Sequence, residues 1–274
     1  MTEQMVVIPA RMLAMDGTRI DQSGLADVQV NRAVNVGRGL PPLKVDRTPK
    51  GPVAIVGYGP SLKETWPRLL DFPTIYTVSR AHDFLLERGI TPTAHIDLDP
   101  RAHKATFMET PVPGVRYILS THIHPTYLDK LATAGVTPEL FHVAIDQNEA
   151  LDPRYQAMGK NFKRPGVVRY DAGVQAAEAA FQNGHREQHW FGIEYGRAGE
   201  QTHADRHWGT TSAPCVVDVD GRQFGSTQLF FHGLLLAEQF LCERGAVVRC
   251  TIHGDGLLGH FLKCRGRTRF TLKV

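Results

Sequence analysis

Cysteine is scarce in this chain, and none of it is paired for metal or redox chemistry. Cys215, Cys242, Cys250 and Cys264 are the four in 274 residues, and no two of them show CxxC spacing. That argues against a disulfide scaffold and for buried thiols in a reducing compartment. No uncharged apolar stretch reaches about 18 residues, so no membrane-spanning helix is expected. The opening "MTEQMVVIPARMLAMDG" lacks a basic segment followed by a long apolar run. The expectation is no signal peptide and a cytoplasmic location. A dominant charge is missing too. The 31 basic and 28 acidic residues leave a net charge of +3, which permits an anionic substrate without demanding nucleic acid. No internal repeat and no low-complexity segment is present.

What is there is alternation. From residue 53 onward, short apolar runs alternate with amphipathic ones. "VAIVG", "TIYTVS", "TAHIDLD", "VRYILST" and "LFHVAI" read as strands. "SLKETWPRLLDF", "RAHDFLLERG" and "PTYLDKLATAG" read as the helices between them, with Pro67 bending or ending the regular part of the first. Further on, "AGVQAAEAAFQNG" reads as a small-residue helix and "QHWFGIEYG" as a strand. "CVVDVDGRQFGS" reads as a hairpin around Asp220-Gly221, "TQLFFHGLLLAEQFLCERG" as the longest helix and "AVVRCTI" as a last strand. This order predicts an α/β fold, a doubly wound and mostly parallel Rossmann-like sheet, with its ligand at the carboxyl ends of the strands. Residues 51–274 would form that domain. Residues 1–50, of mixed polarity and weak periodicity, would form an N-terminal arm or cap.

The first strand runs into Gly57-Tyr58-Gly59-Pro60-Ser61-Leu62. Two glycines let the backbone turn tightly, Pro60 suits a first helical turn, and Ser61 can cap the helix or donate to a phosphate. The plainer alternative is an ordinary strand–helix turn. A dinucleotide fingerprint would need a third glycine where Leu62 stands. The second strand ends in Ser79-Arg80, where a base could meet a ribose 2′-phosphate, so an NADP-binding oxidoreductase stays open as a rival of another class.

"HIDLDP" places Asp97 and Asp99 on one face of a strand. Two carboxylates there could hold Mg²⁺ beside a di- or triphosphate, or one could act as general base. The alternative is that they cap the next helix or pair with Arg101. "STHIHP" puts His122 and His124 at a strand end, as base, phosphate contact or plain surface histidines. His203 and His207 are four apart, which is zinc spacing only if the segment is helical. "IHGDGLLGHF" offers Gly254 and Gly256 either to close over a ligand or to make a simple turn. Lys160, Lys163, Arg164 and Arg169 form a basic excursion that could meet an anion, and such runs are usually a solvated face. No aromatics are interleaved as in a nucleic-acid groove.

The turn resembles the "G-x-G-P-S-L" of the MptE-like and motility accessory factor family, which includes flagellin glycosyltransferases and archaeal 6-hydroxymethyl-dihydropterin pyrophosphokinases. Bacterial sialyltransferases that use CMP-sialic acid share a similar turn. "FLLERGITPTAHIDLDP", "DAGVQAAEAAFQNGHREQHWFGIEYG", "EQTHAD" and "VDVDGRQFGST" resemble later family segments in the same order, over about residues 52–260. Glu194 stands where the family usually has Asp, and Ser79 where the sialyltransferases have Asn. The resemblance implies a transferase with a nucleotide-sugar or ATP as donor, and with Mg²⁺. It implies phosphate on Gly57, Tyr58, Gly59, Pro60 and Ser61, with Ser79 and Arg80 beside it. Gly173, Glu194 and His203 would contact substrate, and Asp97, Asp99 and His122 would do the chemistry. The expected function is a glycosyltransferase, with a pyrophosphokinase or a non-catalytic nucleotide-binding protein as alternatives. The acceptor and self-association stay open.

Overall fold

A computed structural model describes residues 22–143, 171–196, 201, 203–204, 214–264 and 270–273. Seven parallel strands form one sheet in the order β5-β4-β3-β2-β1-β6-β9. They are β1 (Val53–Val56), β2 (Ile75–Val78), β3 (Ala94–Asp97), β4 (Arg116–Ser120), β5 (Glu139–Phe141), β6 (Glu187–Phe191) and β9 (Arg249–His253). The central strands are apolar runs because helices cover both faces. The pleat divides their side chains. Val53 and Ile55 pack with α5 (Ala172–Gln182) and α6 (Gln228–Arg244), while Ala54 and Val56 pack with Leu62, Leu69, Phe84 and Leu85. Ala176, Ala177, Ala179 and Ala180 are fully buried, so α5 lies close against the sheet, as its small residues predict. The expected α/β doubly wound fold is therefore present.

The chain walks outward from β1 to β5, then returns to lay β6 on the other side of β1. The order reverses between β1 and β6, which makes a crevice at their carboxyl ends. Three-stranded sheet β10-β7-β8 stands apart, built from the expected hairpin (β7, Pro214–Val219; β8, Arg222–Thr227) and β10 (Phe270–Lys273). Asp220 and Gly221 both have positive φ (53° and 84°), as a tight two-residue hairpin turn demands.

The structure refines three expectations. "SLKETWPRLLDF" is not one helix. It is a short α2 (Leu62–Thr65) followed by a 3-10 turn over Trp66–Asp71, because Pro67 cannot continue the α-helical ladder. Residues 257–263 form helix α7 (Leu257–Lys263) after the Gly254–Gly256 turn. Within residues 1–50, Gln22–Gly37 form helix α1. Its hydrophobic periodicity is weak because it docks through amides. Asn31 Nδ2 donates to the carbonyls of Pro100 (2.9 Å) and His122 (3.1 Å), and Asn35 Nδ2 to those of Thr121 (3.0 Å) and Ile123 (2.7 Å). Both asparagines are buried. The following segment runs from a bridge with β5 at Pro42 to one at Lys50 just before β6. There Gly184, at φ +86°, passes so close to Thr48 that a Cβ would lie 1.8 Å from its carbonyl oxygen.

The other α-helices among the described residues are α3 (Ala81–Leu86) and α4 (Pro125–Thr133), the latter capped by the His124 side chain accepting from Thr126 N–H. No helix among the described residues is long and apolar enough to cross a membrane. Asn35→Ala is expected to lower stability by about 2 kcal/mol, since two buried carbonyls lose their donor. Urea denaturation of the variant against the parent chain checks this.

Candidate functional site

The glycines after β1 meet a glycine after β6. A Cβ on Gly57 would lie 2.6 Å from the Gly192 carbonyl oxygen, and one on Gly59 2.7 Å from it. Gly59 N–H donates to that same carbonyl at 2.8 Å, and Gly57 N–H to Phe191 O at 2.8 Å. The two loops thus touch backbone to backbone across the crevice. Ser61 N–H donates to Glu194 Oε1 at 2.7 Å. The amides of Gly57, Gly59 and Ser61 are accordingly engaged within the protein. The Ser61 hydroxyl is buried and has no partner among the described residues. Gly254 closes on it, since a Cβ there would lie 2.5 Å from Ser61 Oγ, and Gly256 closes on Glu194 at 2.7 Å. Burial raises the Glu194 carboxyl above the usual carboxylate range, and the Ser61 residue beside it, whose amide it accepts from, opposes that shift.

The loop after β6 is a junction. Glu194 O accepts from Leu258 N–H (3.0 Å) and Tyr195 O from the Ser226 hydroxyl (2.7 Å). Tyr195 OH donates to Asp171 Oδ1 at 2.9 Å. Asp171 is the N-cap of α5, accepting from Val174 N–H, and burial raises its carboxyl. Gly233 of α6 makes room for this pair, for a Cβ would stand 2.4 Å from the Tyr195 ring. Gly173 lies beside it, its Cβ position 3.3 Å from Ile193 and from Asp171. Tyr195 has φ 56°, and Ser79, at the end of β2, φ 51°. Both are left-handed, Ser79 directly after β2 and Tyr195 in the loop after β6, and such strain tends to collect at functional sites.

His203 and the glycine turn come together. Tyr58 O accepts from Ala204 N–H (3.0 Å), and the Tyr58 and His203 rings lie 5.7 Å apart. Arg80 turns away into the protein. Its side chain is almost fully buried, 2.9 Å from Glu109 and 3.7 Å from Glu87, so its guanidinium already has anionic partners.

Asp97 and Asp99 differ sharply. Asp97 is buried. Its Oδ1 accepts the N–H groups of Leu98 (2.7 Å) and Asp99 (3.1 Å), and its Oδ2 has no partner among the described residues. Burial, then the charge of Asp99, pushes its carboxyl up to about 6. Asp99 binds Arg101 through both oxygens (2.8 and 2.5 Å) and lies 3.6 Å from Lys104 Nζ. Two cations already surround Asp99, and the described residues hold no group of three or more His, Cys, Asp or Glu placed for an ion. This arrangement does not fit a Mg²⁺ held by the two carboxylates. His122 lies buried with its ring 5.1 Å from that of His142. Burial, with His142 and Arg32 adding to it, keeps it neutral. His207, Lys160, Lys163, Arg164 and Arg169 lie outside the described residues.

Sequence reasoning passed over Asp171 and Tyr195. The signal was present in "YDAGV", an Asp directly before a small-residue helix, which is N-cap placement. It also passed over a buried network under β2–β4. There His82 links Asp83 (2.7 Å) to Tyr117 (2.9 Å), and His95 links Thr77 (3.1 Å) to Tyr127 (2.8 Å). Burial keeps His95 neutral and holds the Tyr127 hydroxyl well above its ordinary pKa.

Residues 31–134 match the model of a family described as 6-hydroxymethylpterin diphosphokinase MptE-like. Over that stretch the resemblance read from the sequence is shown. No curated protein matches the chain. Among solved structures, the MAf glycosyltransferase from Magnetospirillum magneticum AMB-1 is similar at 16% identity and TM-score 0.56, over 90% of this chain and 42% of that one. This chain therefore spans less than half of that relative's length. A mammalian sialyltransferase in complex with Gal-beta-1-3GalNAc-ortho-nitrophenol is similar at 15% identity and TM-score 0.43, over 89% of this chain and 85% of that one. At such identity the MAf likeness bears on the fold.

Between its ordinary value of 3.8 and about 6, Asp97 holds a proton in the folded chain that the unfolded chain has released. The Asp97 contribution to stability therefore falls as pH rises through that window, by on the order of 3 kcal/mol at most. Asp97→Asn should flatten this part of the curve, read as the difference between variant and parent in urea midpoints taken at several pH values.

Proposed function

We propose that the chain is a nucleotide-dependent transferase, most simply a glycosyltransferase using a nucleotide-activated sugar, with Asp97 as its general base. The observation that carries the reading is Asp97 itself. It is a buried carboxylate at a strand carboxyl end with one oxygen tied down, one unpartnered, and a pKa raised to about 6. Such a group is ionised at neutral pH yet basic enough to take a proton in the transition state. In the reaction it removes the proton of an acceptor hydroxyl. The acceptor oxygen bonds to the anomeric carbon as the bond from that carbon to the donor's phosphate oxygen breaks, and the nucleotide leaves with the electron pair.

The donor would lie along the switch-point crevice, against Tyr58, the Ser61 hydroxyl, Glu194 and His203. The unpartnered Ser61 hydroxyl supports a polar contact there. Gly57, Gly59 and Pro60 shape the wall. The family match over residues 31–134 favours a second reading, diphosphate transfer from ATP to a hydroxymethyl group. The same base would serve, with the acceptor oxygen attacking the β-phosphorus and AMP leaving.

Thermal-shift measurements with CMP, UDP, ADP, ATP and NADP should show stabilisation by at least one of the first four. A shift with NADP alone overturns both readings. Release of AMP from ATP with a hydroxymethylpterin selects the second reading, and release of nucleotide from a nucleotide-sugar selects the first. Asp97→Asn should cut turnover at least about 100-fold while the nucleotide shift persists. Full turnover in that variant removes Asp97 from the chemistry.

A further inference from the structure

The face of β6 and β9 that carries Phe191 holds a string of polar side chains outside the site just described. Arg68, in the 3-10 turn after α2, lies with its guanidinium 3.2 Å from His253 Nδ1. His253 Nε2 is 3.0 Å from His189 Nδ1, and His189 Nε2 is 3.4 Å from Glu187 Oε1. Glu187 Oε2 in turn accepts from Arg249 at 2.7 Å. The His253 ring stacks flat on Phe191 (centroids 4.0 Å apart, planes at 2°), and His189 packs on Phe72 (4.8 Å).

The ends of this string decide its interior. A guanidinium only donates, so His253 Nδ1 must be bare and its proton must sit on Nε2. That proton points at His189 Nδ1, which must therefore accept. The proton of His189 then sits on Nε2 and points at a carboxylate, which only accepts. Each ring has one permitted tautomer, and both are neutral. The charged groups meeting the two rings are Arg68 from the 3-10 turn, Glu187 from β6, and Arg249 from β9 through Glu187.

We infer that Arg68, His253, His189 and Glu187 form a one-way hydrogen-bond chain that ties the 3-10 turn after α2 to strand β9, and that one proton taken up by His253 releases Arg68. A proton added to His253 sits on Nδ1 and meets the guanidinium at once. Burial, with His189 and Arg68 adding to it, pushes the His253 imidazole down to about 4. The release reaches the crevice. Arg68 follows the turn that carries Ser61, and His253 precedes Gly254, whose Cβ position lies 2.5 Å from Ser61 Oγ. Acid thus acts as a clamp release between the two walls, whichever group the crevice transfers.

The test is histidine nitrogen NMR on the full chain with ¹⁵N-labelled histidine. At about pH 7.5 both rings should show a proton on Nε2 and a bare Nδ1. A proton on Nδ1 of either ring overturns the inference. Arg68→Met removes the opposing cation and should raise the titration midpoint of His253 by about one pH unit; an unmoved midpoint overturns it as well. His253→Gln guards against a variant that does not fold, since glutamine can accept from Arg68 and donate to His189 without taking up a proton. His253's own contribution to stability should fall as pH drops from the ordinary histidine value of 6.5 towards about 4, because only the unfolded chain then protonates this residue, while Asp97 acts in the opposite direction over much of the same window and is common to parent and variant. The His253→Gln chain should lack that share of the loss, and an identical loss in both overturns the proposal.

Discussion

One contact organises the crevice: the carbonyl of Gly192 lies between Gly57 and Gly59 and accepts the Gly59 amide at 2.8 Å. It joins the first strand of the sheet to the one laid beside it after the chain has travelled out to β5 and back. Any side chain at these three positions would push the loops apart. Everything nearby inherits its position from this crossing. Glu194 reaches the Ser61 amide because Gly192 has brought its loop there, and Tyr195 reaches Asp171 from the same loop. Gly254 and Gly256 then close the third side from β9.

The sheet was legible from the sequence because its strands and helices alternate cleanly and its strands are buried on both sides. The hairpin was legible from Asp220-Gly221, a pair that tolerates positive φ. Helix α1 was not. The residues that dock it, Asn31 and Asn35, are polar, and a reading that looks for an apolar stripe takes them for surface. The break at Pro67 was legible, and only the 3-10 form of Trp66–Asp71 that follows from it was not.

At the site, the glycine turn was found, and its surroundings give its glycines a second meaning. They permit the crossing with Gly192 as well as any approach of a ligand. Asp97 and Asp99, alike in the sequence, part company in space because Arg101 and Lys104 follow directly and reach only the second of them. The pairing of Tyr58 with the His203–Ala204 segment bridges a long stretch of chain through backbone contact. Local pattern carries no trace of such a contact.

Helix α1 holds on to β4 by gripping carbonyl oxygens, and every residue type has one of those. The residues it grips, Thr121, His122 and Ile123, could therefore drift in identity over evolutionary time without loosening the helix. The two asparagines have no such freedom. Across related chains, variability should gather on the gripped side of this joint and constancy on the gripping side. The His122 imidazole stays answerable to that helix by another route, the charge of Arg32.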